Sequence, residues 1–167
     1  MIPREITRRL ADESDRAFLF DLYASTRTAE LAMTPWTEEQ KGQFLTQQFQ
    51  AQAAGYRDAY PQAVHEIIAS GGQPAGRLYL SREADRLHIL DITIAAELRN
   101  GGIGSAVLGD ILEEADRAGK PVTIYVETFN PSLRLFLRLG FQVITQDSFQ
   151  LLLERPAPPL SRGAITG

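Results

Sequence analysis

The chain contains no cysteine. Disulfide staples, thiolate metal sites and a cysteine nucleophile are therefore excluded. It also lacks an excess of positive charge: 17 Lys and Arg stand against 21 Asp and Glu, a formal net charge of −4. Without a broad basic surface, nucleic-acid binding loses its electrostatic driving force. No apolar run approaches the ~20 residues of a membrane span. Met1-Ile-Pro-Arg-Glu-Ile6 has no apolar signal core. These absences predict a cytoplasmic protein with no nucleic-acid partner and no membrane partner. The rest is ordinary: 167 residues, 44% hydrophobic and 23% charged, suit one domain with a sizeable core. Residues 1–155 read as that domain. Residues 156–167, with Pro156, Pro158 and Pro159, read as a proline-rich tail.

One stretch organises the rest: Arg99-Asn100-Gly101-Gly102-Ile103-Gly104-Ser105. A β-branched run, Ile89 to Ile94, precedes it, and an amphipathic segment from Ile103 to Ala118 follows. The order is strand, short loop, glycine turn, helix. Glycines let backbone approach a ligand closely. The first amides of a helix have no internal partners, and the helix dipole favours an anion there. A diphosphate is the natural ligand. A P-loop is ruled out, because Gly104 is followed by Ser105-Ala106 and not by Lys. The dinucleotide fingerprint fits poorly, because Val107 stands where a small residue is needed.

The flanking elements follow from periodicity. Ile6 to Leu10 reads as a strand. Asp12 to Asp15 supplies a helix start, and Phe18, Leu19, Leu22 and Tyr23 recur at helical spacing as core positions. Ser25 to Pro35 reads as a loop or broken helix. Thr37 and Gln40 form a capping box for a helix to about Ala54, broken from Tyr56 to Pro61. Ala63–Ala69, Gly76–Ser81 and Leu87–Ile94 read as strands, the first two joined at Gly71-Gly72. Both parities of Leu87–Ile94 are largely apolar, which predicts burial on both faces. In the motif helix Ile103, Val107, Leu108, Ile111, Leu112 and Ala115 share a face, and Gly119 ends it. Val122 to Val126 is the next strand. Asn130 and Pro131 suit N-cap and N1 of a short helix that Gly140 ends. Phe141–Thr145 and Phe149–Glu154 form a closing hairpin. The fold class is mixed α/β (α+β), a mainly antiparallel sheet of about six or seven strands with about four helices.

The pattern Arg99-x-x-Gly102-x-Gly104, the strand Val122–Val126, Asn130-Pro-Ser-Leu-Arg-Leu-Phe136 and Gly140-Phe141 together resemble the GNAT superfamily of N-acetyltransferases, over roughly Leu87 to Leu153. The resemblance implies acetyl-CoA as cosubstrate and no metal. It implies that the two central parallel strands splay. Arg99, Asn100, Gly101, Gly102, Ile103, Gly104 and Ser105 would then hold the diphosphate. Backbone of Ile92, Thr93 and Ile94 would pair with the pantetheine arm, as an added strand does. Asn130, Ser132 and Phe136 complete the cofactor set. Many members carry a tyrosine in the helix after Asn130 that protonates the departing thiolate; Phe136 stands there and has no proton to give.

The chemistry needs a neutral amine, so something must take its proton. Asp91 and His88 are the catalytic candidates. Each has a bland alternative: Asp91 as a carboxylate paired with Arg77 or Arg86, His88 as a satisfied strand histidine. Tyr125 and Glu127 on the neighbouring strand are substrate-binding candidates. So are Tyr23, Arg27 and Trp36 in the variable N-terminal half, where Phe44, Tyr56 and Tyr60 add aromatic surface. The expected activity is transfer of an acetyl group from acetyl-CoA to a primary amine of a small molecule or protein. The alternative is a non-catalytic acyl-CoA-binding or sensing domain, which Phe136 favours. A homodimer is compatible with either.

Overall fold

A computed structural model describes residues 4–159. In chain order it has β1 (Ile6–Leu10), α1 (Arg16–Ser25), α2 (Thr28–Ala32), α3 (Glu38–Ala59), β2 (Val64–Ser70), β3 (Gln73–Arg82), β4 (Leu87–Ile94), α4 (Ile103–Ala118), β5 (Val122–Glu127), α5 (Leu133–Arg138), β6 (Gln142–Gln146) and β7 (Gln150–Arg155). The strands form one seven-stranded sheet in the order β1-β2-β3-β4-β5-β7-β6. β4 and β5 run parallel, and the strands at either end of the sheet pair antiparallel. Contacts divide the chain into two compact units. The first is the chain up to Ser81 with Leu90–Ala106; the second is Arg82–Ile89 with the chain from Val107 onward.

In the first unit, Gly71 and Gly72 sit at φ 59° and 81°. Two left-handed residues make the type I′ turn whose twist matches a hairpin, and Ser70 pairs with Gln73 across it. That tight turn starts β3 three residues earlier than the apolar run at Gly76 predicts. A bulge between Ile68 and Ala69 shifts the β2–β3 register. Ahead of α1, Asp12 and Asp15 form a capping box, and both Arg9 nitrogens close on the two Asp15 oxygens at 2.8 and 2.7 Å. Thr37 and Gln40 cap α3 reciprocally at 2.9 and 3.1 Å. α3 runs five residues past the predicted end at Ala54. Tyr56 is anchored there, its hydroxyl donating to the Leu90 carbonyl at 3.1 Å, so Gly55 to Ala59 stay helical. The broken stretch after α1 holds a separate short helix, α2, which makes five α-helices among the described residues. Leu19, Leu22 and Tyr23 are buried with Ile67, Ile68, Leu78 and Leu80; Phe18 is half-buried.

In the second unit, Ile111, Leu112 and Ala115 of α4 are buried, as are Val122, Ile124 and Val126 of β5 and Leu151 and Leu153 of β7. Gly119 at φ 67° stops α4 and Gly140 at φ 96° follows α5. The helix after Asn130 begins at Leu133, not at Pro131. The Asn130 side chain closes a local turn first, its Oδ1 accepting from Ser132 N at 2.7 Å. Leu87, His88 and Ile89 are buried, but Leu90 to Ile94 are only half-buried, so burial on both faces holds for the first three residues of β4 alone. The recorded β4–β5 pairing covers the same three positions, Leu87, His88 and Ile89 against Val122, Thr123 and Ile124.

Candidate active site

The end of β4 and the loop after it lie in the first unit. Ala95 N donates to Ala75 O at 2.8 Å, and a single 3-10 turn, Ala96–Leu98, follows. Arg99 folds back, its Nε donating to the Ile94 carbonyl at 3.2 Å. Asn100 then takes φ 66° and Gly102 φ 85°. Asn100 is the one non-glycine residue with positive φ among the described residues. Asparagine tolerates that region better than other side chains do. Gly102 accepts the first helical bond, from Ala106 N at 3.0 Å. The amides of Ile103, Gly104 and Ser105 therefore have no acceptor inside the helix. A Cβ on Gly102 would meet no protein atom within 4 Å, so the space beside the turn is open.

Gly76 on β3 is a residue that sequence reading passed over. A Cβ there would stand 2.3 Å from the Thr93 carbonyl oxygen and 3.1 Å from Ile94 Cα. Only glycine allows β3 this close to β4. The signal was present: a glycine within a strand pattern marks a bulge or a close approach. The Thr93 carbonyl faces β3, so by strand alternation the backbone groups of Ile92 and Ile94 face the other edge of β4.

Under α3 lies a polar cluster. Arg77 Nε donates to Asp91 Oδ2 at 2.5 Å, and an Arg77 terminal nitrogen donates to Gln52 Oε1 at 2.7 Å. Thr93 Oγ1 donates to Asp91 Oδ1 at 2.9 Å. Asp91 is thus held by Arg77, one of the two arginines expected to pair with it, and its side chain keeps 23% of its exposure. Gln52 carried no signal, because a polar residue on an amphipathic helix normally faces water. Tyr56 packs edge-on against Tyr79 at 5.1 Å, and His65 stacks on Tyr79 at 4.5 Å. Burial, with the Asp91 charge nearby, pushes the Tyr56 hydroxyl up to about 12, so it stays a donor. Burial, reinforced by the Arg77 charge, holds His65 neutral, down at about 4.

The N-terminal acceptor candidates are packed or partnered. Tyr23 is buried against Phe49 with Arg27 over its ring at 5.4 Å; Trp36 leans on Phe44 at 5.1 Å and is partly exposed. In the second unit, His88 is 2% exposed, with Nδ1 2.7 Å from Thr123 Oγ1 and its ring edge-on to Tyr125. Burial, and then the Arg86 charge, brings its pKa down to about 4. Tyr125 and Glu127 share an exposed face of β5. Phe136 is 3% exposed against Phe141. Among the described residues no cluster of His, Asp or Glu is disposed to hold a metal, and no helix is long and apolar enough to cross a membrane.

The sequence profile described as the Acetyltransferase (GNAT) family matches residues 17–141. That is well over half of the chain. The chain belongs to the GNAT acetyltransferase family. It is an acyltransferase. Solved structures repeat the fold of this GNAT chain. The PaiA N-acetyltransferase of Thermoplasma acidophilum, in complex with coenzyme A, superposes with TM-score 0.68 at 15% identity, over 91% of this chain and 99% of that one. The ribosomal-protein-S18-alanine N-acetyltransferase of Escherichia coli gives TM-score 0.61 at 15% identity, over 95% and 97%. Nourseothricin acetyltransferase gives TM-score 0.52 at 25% identity, over 59% and 67%. Comparison with curated protein sequences finds no match.

Proposed function

We propose that this GNAT chain transfers the acetyl group of acetyl-CoA to the nitrogen of a primary amine. The observation that carries the reading is the turn at Asn100–Gly102, which leaves the amides of Ile103 to Ser105 bare at the start of a 16-residue helix in a chain of this family. Those amides and the helix dipole suit a diphosphate. Gly101, Gly102 and Gly104 keep side chains out of its way, and Arg99 adds charge. The outward backbone groups of Ile92 and Ile94 suit the pantetheine amides. Thr93 turns its carbonyl to Gly76 and its hydroxyl to Asp91, so its part is to hold the strand and the carboxylate.

The step is an acyl exchange. The ammonium gives up one proton to become the neutral amine, its nitrogen attacks the thioester carbonyl carbon, and the C–S bond breaks as the N–C bond is completed and the nitrogen loses its second proton to water. A strand N–H near Ile92 stabilises the oxyanion that forms in between. Asp91 is the group in this unit that meets an incoming ammonium and orients it; both its oxygens already accept hydrogen bonds, so water carries the proton away. His88 has no part in the step, because it is sealed against Thr123. The thiolate takes its proton from water, which a thiol pKa of ~8.5 permits. Ligand-dependent melting tests the cofactor. Coenzyme A and acetyl-CoA at about 100-fold their Kd should stabilise by about 2.7 kcal/mol, roughly 5–10 °C at this size. NAD and ATP should give far less. Equal stabilisation by ATP would remove the pantetheine part of the reading.

A further inference from the structure

Arg77 is buried with a donor left over. It is 6% exposed, yet only Nε and one terminal nitrogen have partners among the described residues. The other terminal nitrogen bonds to nothing there and is not sealed from solvent. A guanidinium offers five N–H donors in a fixed fork, and an arginine–carboxylate pair frequently closes that fork on both carboxylate oxygens. Arg9 does so in this same unit, with Asp15, at 2.8 and 2.7 Å. Arg77 does not. It meets Asp91 through Nε alone, while Thr93 occupies the second Asp91 oxygen.

Charge then narrows the ligand. The Arg77–Asp91 pair is neutral as a unit. An amine that draws Asp91 to itself loosens Asp91 from Arg77 and leaves a buried guanidinium uncompensated, which is strongly unfavourable. An acceptor with its own carboxylate beside the amine repairs that loss: its ammonium faces Asp91 and its carboxylate faces the spare Arg77 donor. We propose that Arg77 and Asp91 together select an acceptor carrying a carboxylate next to its primary amine, the α-amino acid class. This rests on the N-acetyl transfer reading, with Asp91 as the amine anchor, and assigns Arg77 as a specificity residue. Gln52 keeps the guanidinium plane in place from α3.

The test compares each of a set of L-α-amino acids, spanning side-chain size and charge, with its own α-carboxamide, following thiol release from acetyl-CoA. The carboxamide has the less basic amine and so more of the neutral nucleophile at pH 7. A carboxylate preference must therefore overcome that advantage. The best amino acid should exceed its carboxamide by about tenfold or more in kcat/KM, mostly through KM. Arg77→Lys and Arg77→Gln should bring that ratio toward one at unchanged acetyl-CoA affinity. If both variants fail to fold, the wild-type ratio decides alone. Calorimetric titration of amino acids into the coenzyme A-loaded protein gives a reading independent of turnover. Amino acid binding without thiol release would keep the proposal and overturn the transfer reading. Acetylation of carboxamides or simple amines as fast as amino acids would overturn the proposal and keep the transfer reading. Failure of every amino acid to bind would overturn it as well.

Discussion

Gly76→Ala should damage the protein in a way that the position of Thr93 explains. The new Cβ would lie 2.3 Å from the Thr93 carbonyl oxygen and 3.1 Å from Ile94 Cα. Ordinary C···O contacts start at ~3.3 Å, so β3 and β4 must part by roughly 1 Å. Both neighbouring atoms are backbone and cannot rotate away. Overpacking of this kind costs about 1–3 kcal/mol, which for a chain of this size is roughly 3–10 °C in Tm. Gly42→Ala and Gly55→Ala on α3 are the controls, since a Cβ at either meets nothing within 4 Å. Alanine in a helix gains up to ~1 kcal/mol over glycine, so the controls should melt at or above the wild-type temperature. The second readout is acetyl-CoA affinity by calorimetry. Ile92 and Ile94 lie on the segment that must move, so binding should weaken by about tenfold, the scale of one hydrogen bond, while the controls bind normally. Were Gly76→Ala to melt and bind like its controls, the close approach would not matter, and the assignment of Ile92–Ile94 to the cofactor would lose its support.

Gly102→Val should keep the fold and weaken acetyl-CoA binding by about tenfold or more, because φ 85° suits no β-branched residue and its side chain would enter the anion's space; the strain itself should cost ~1–2 kcal/mol in denaturant unfolding. Asp91→Asn should retain acetyl-CoA affinity and lower turnover by ~10²-fold, the usual scale for a positioned polar group, in a rate assay with a known acceptor. Stability should fall as pH drops from about 6.5 to about 4, because unfolded chains bind protons that the buried imidazoles refuse. Both histidines of the chain, His65 and His88, are held near 4, so each contributes close to one proton to unfolding at mid-window, and a urea series across pH with His65→Gln and His88→Gln should show a flatter slope.

The glycine motif, the capping box at Thr37 and the type I′ turn at Gly71-Gly72 were legible because each is a local backbone requirement written in a few adjacent residues. The β4 and α4 boundaries match the sequence reading, α4 because Gly102 precedes it and Gly119 ends it. The end of α3 was not legible. Tyr56 keeps that helix going through a bond to Leu90, 34 positions away, and no local pattern announces it. Asp91 was legible as a choice between two arginines, and only the fold could choose Arg77 over Arg86. Gln52 and Gly76 act through neighbours distant in sequence, so they read as a surface polar residue and a weak strand position. The mixed burial of β4 was hidden for a related reason: apolar side chains say that a strand can be buried, not where its partner strand leaves off.

Movement of an acetyl group from acetyl-CoA to an amine by this chain is read most directly by thiol release with the purified protein, paired with mass-spectrometric detection of the acceptor. Thiol and N-acetylated amine should appear together in equal amounts, both should require the acceptor, and both should fall together in Gly102→Val. Tight acetyl-CoA binding with no thiol and no acetylated amine, across amino acids, simple amines and peptides, would contradict it and make the chain an acyl-CoA-binding domain.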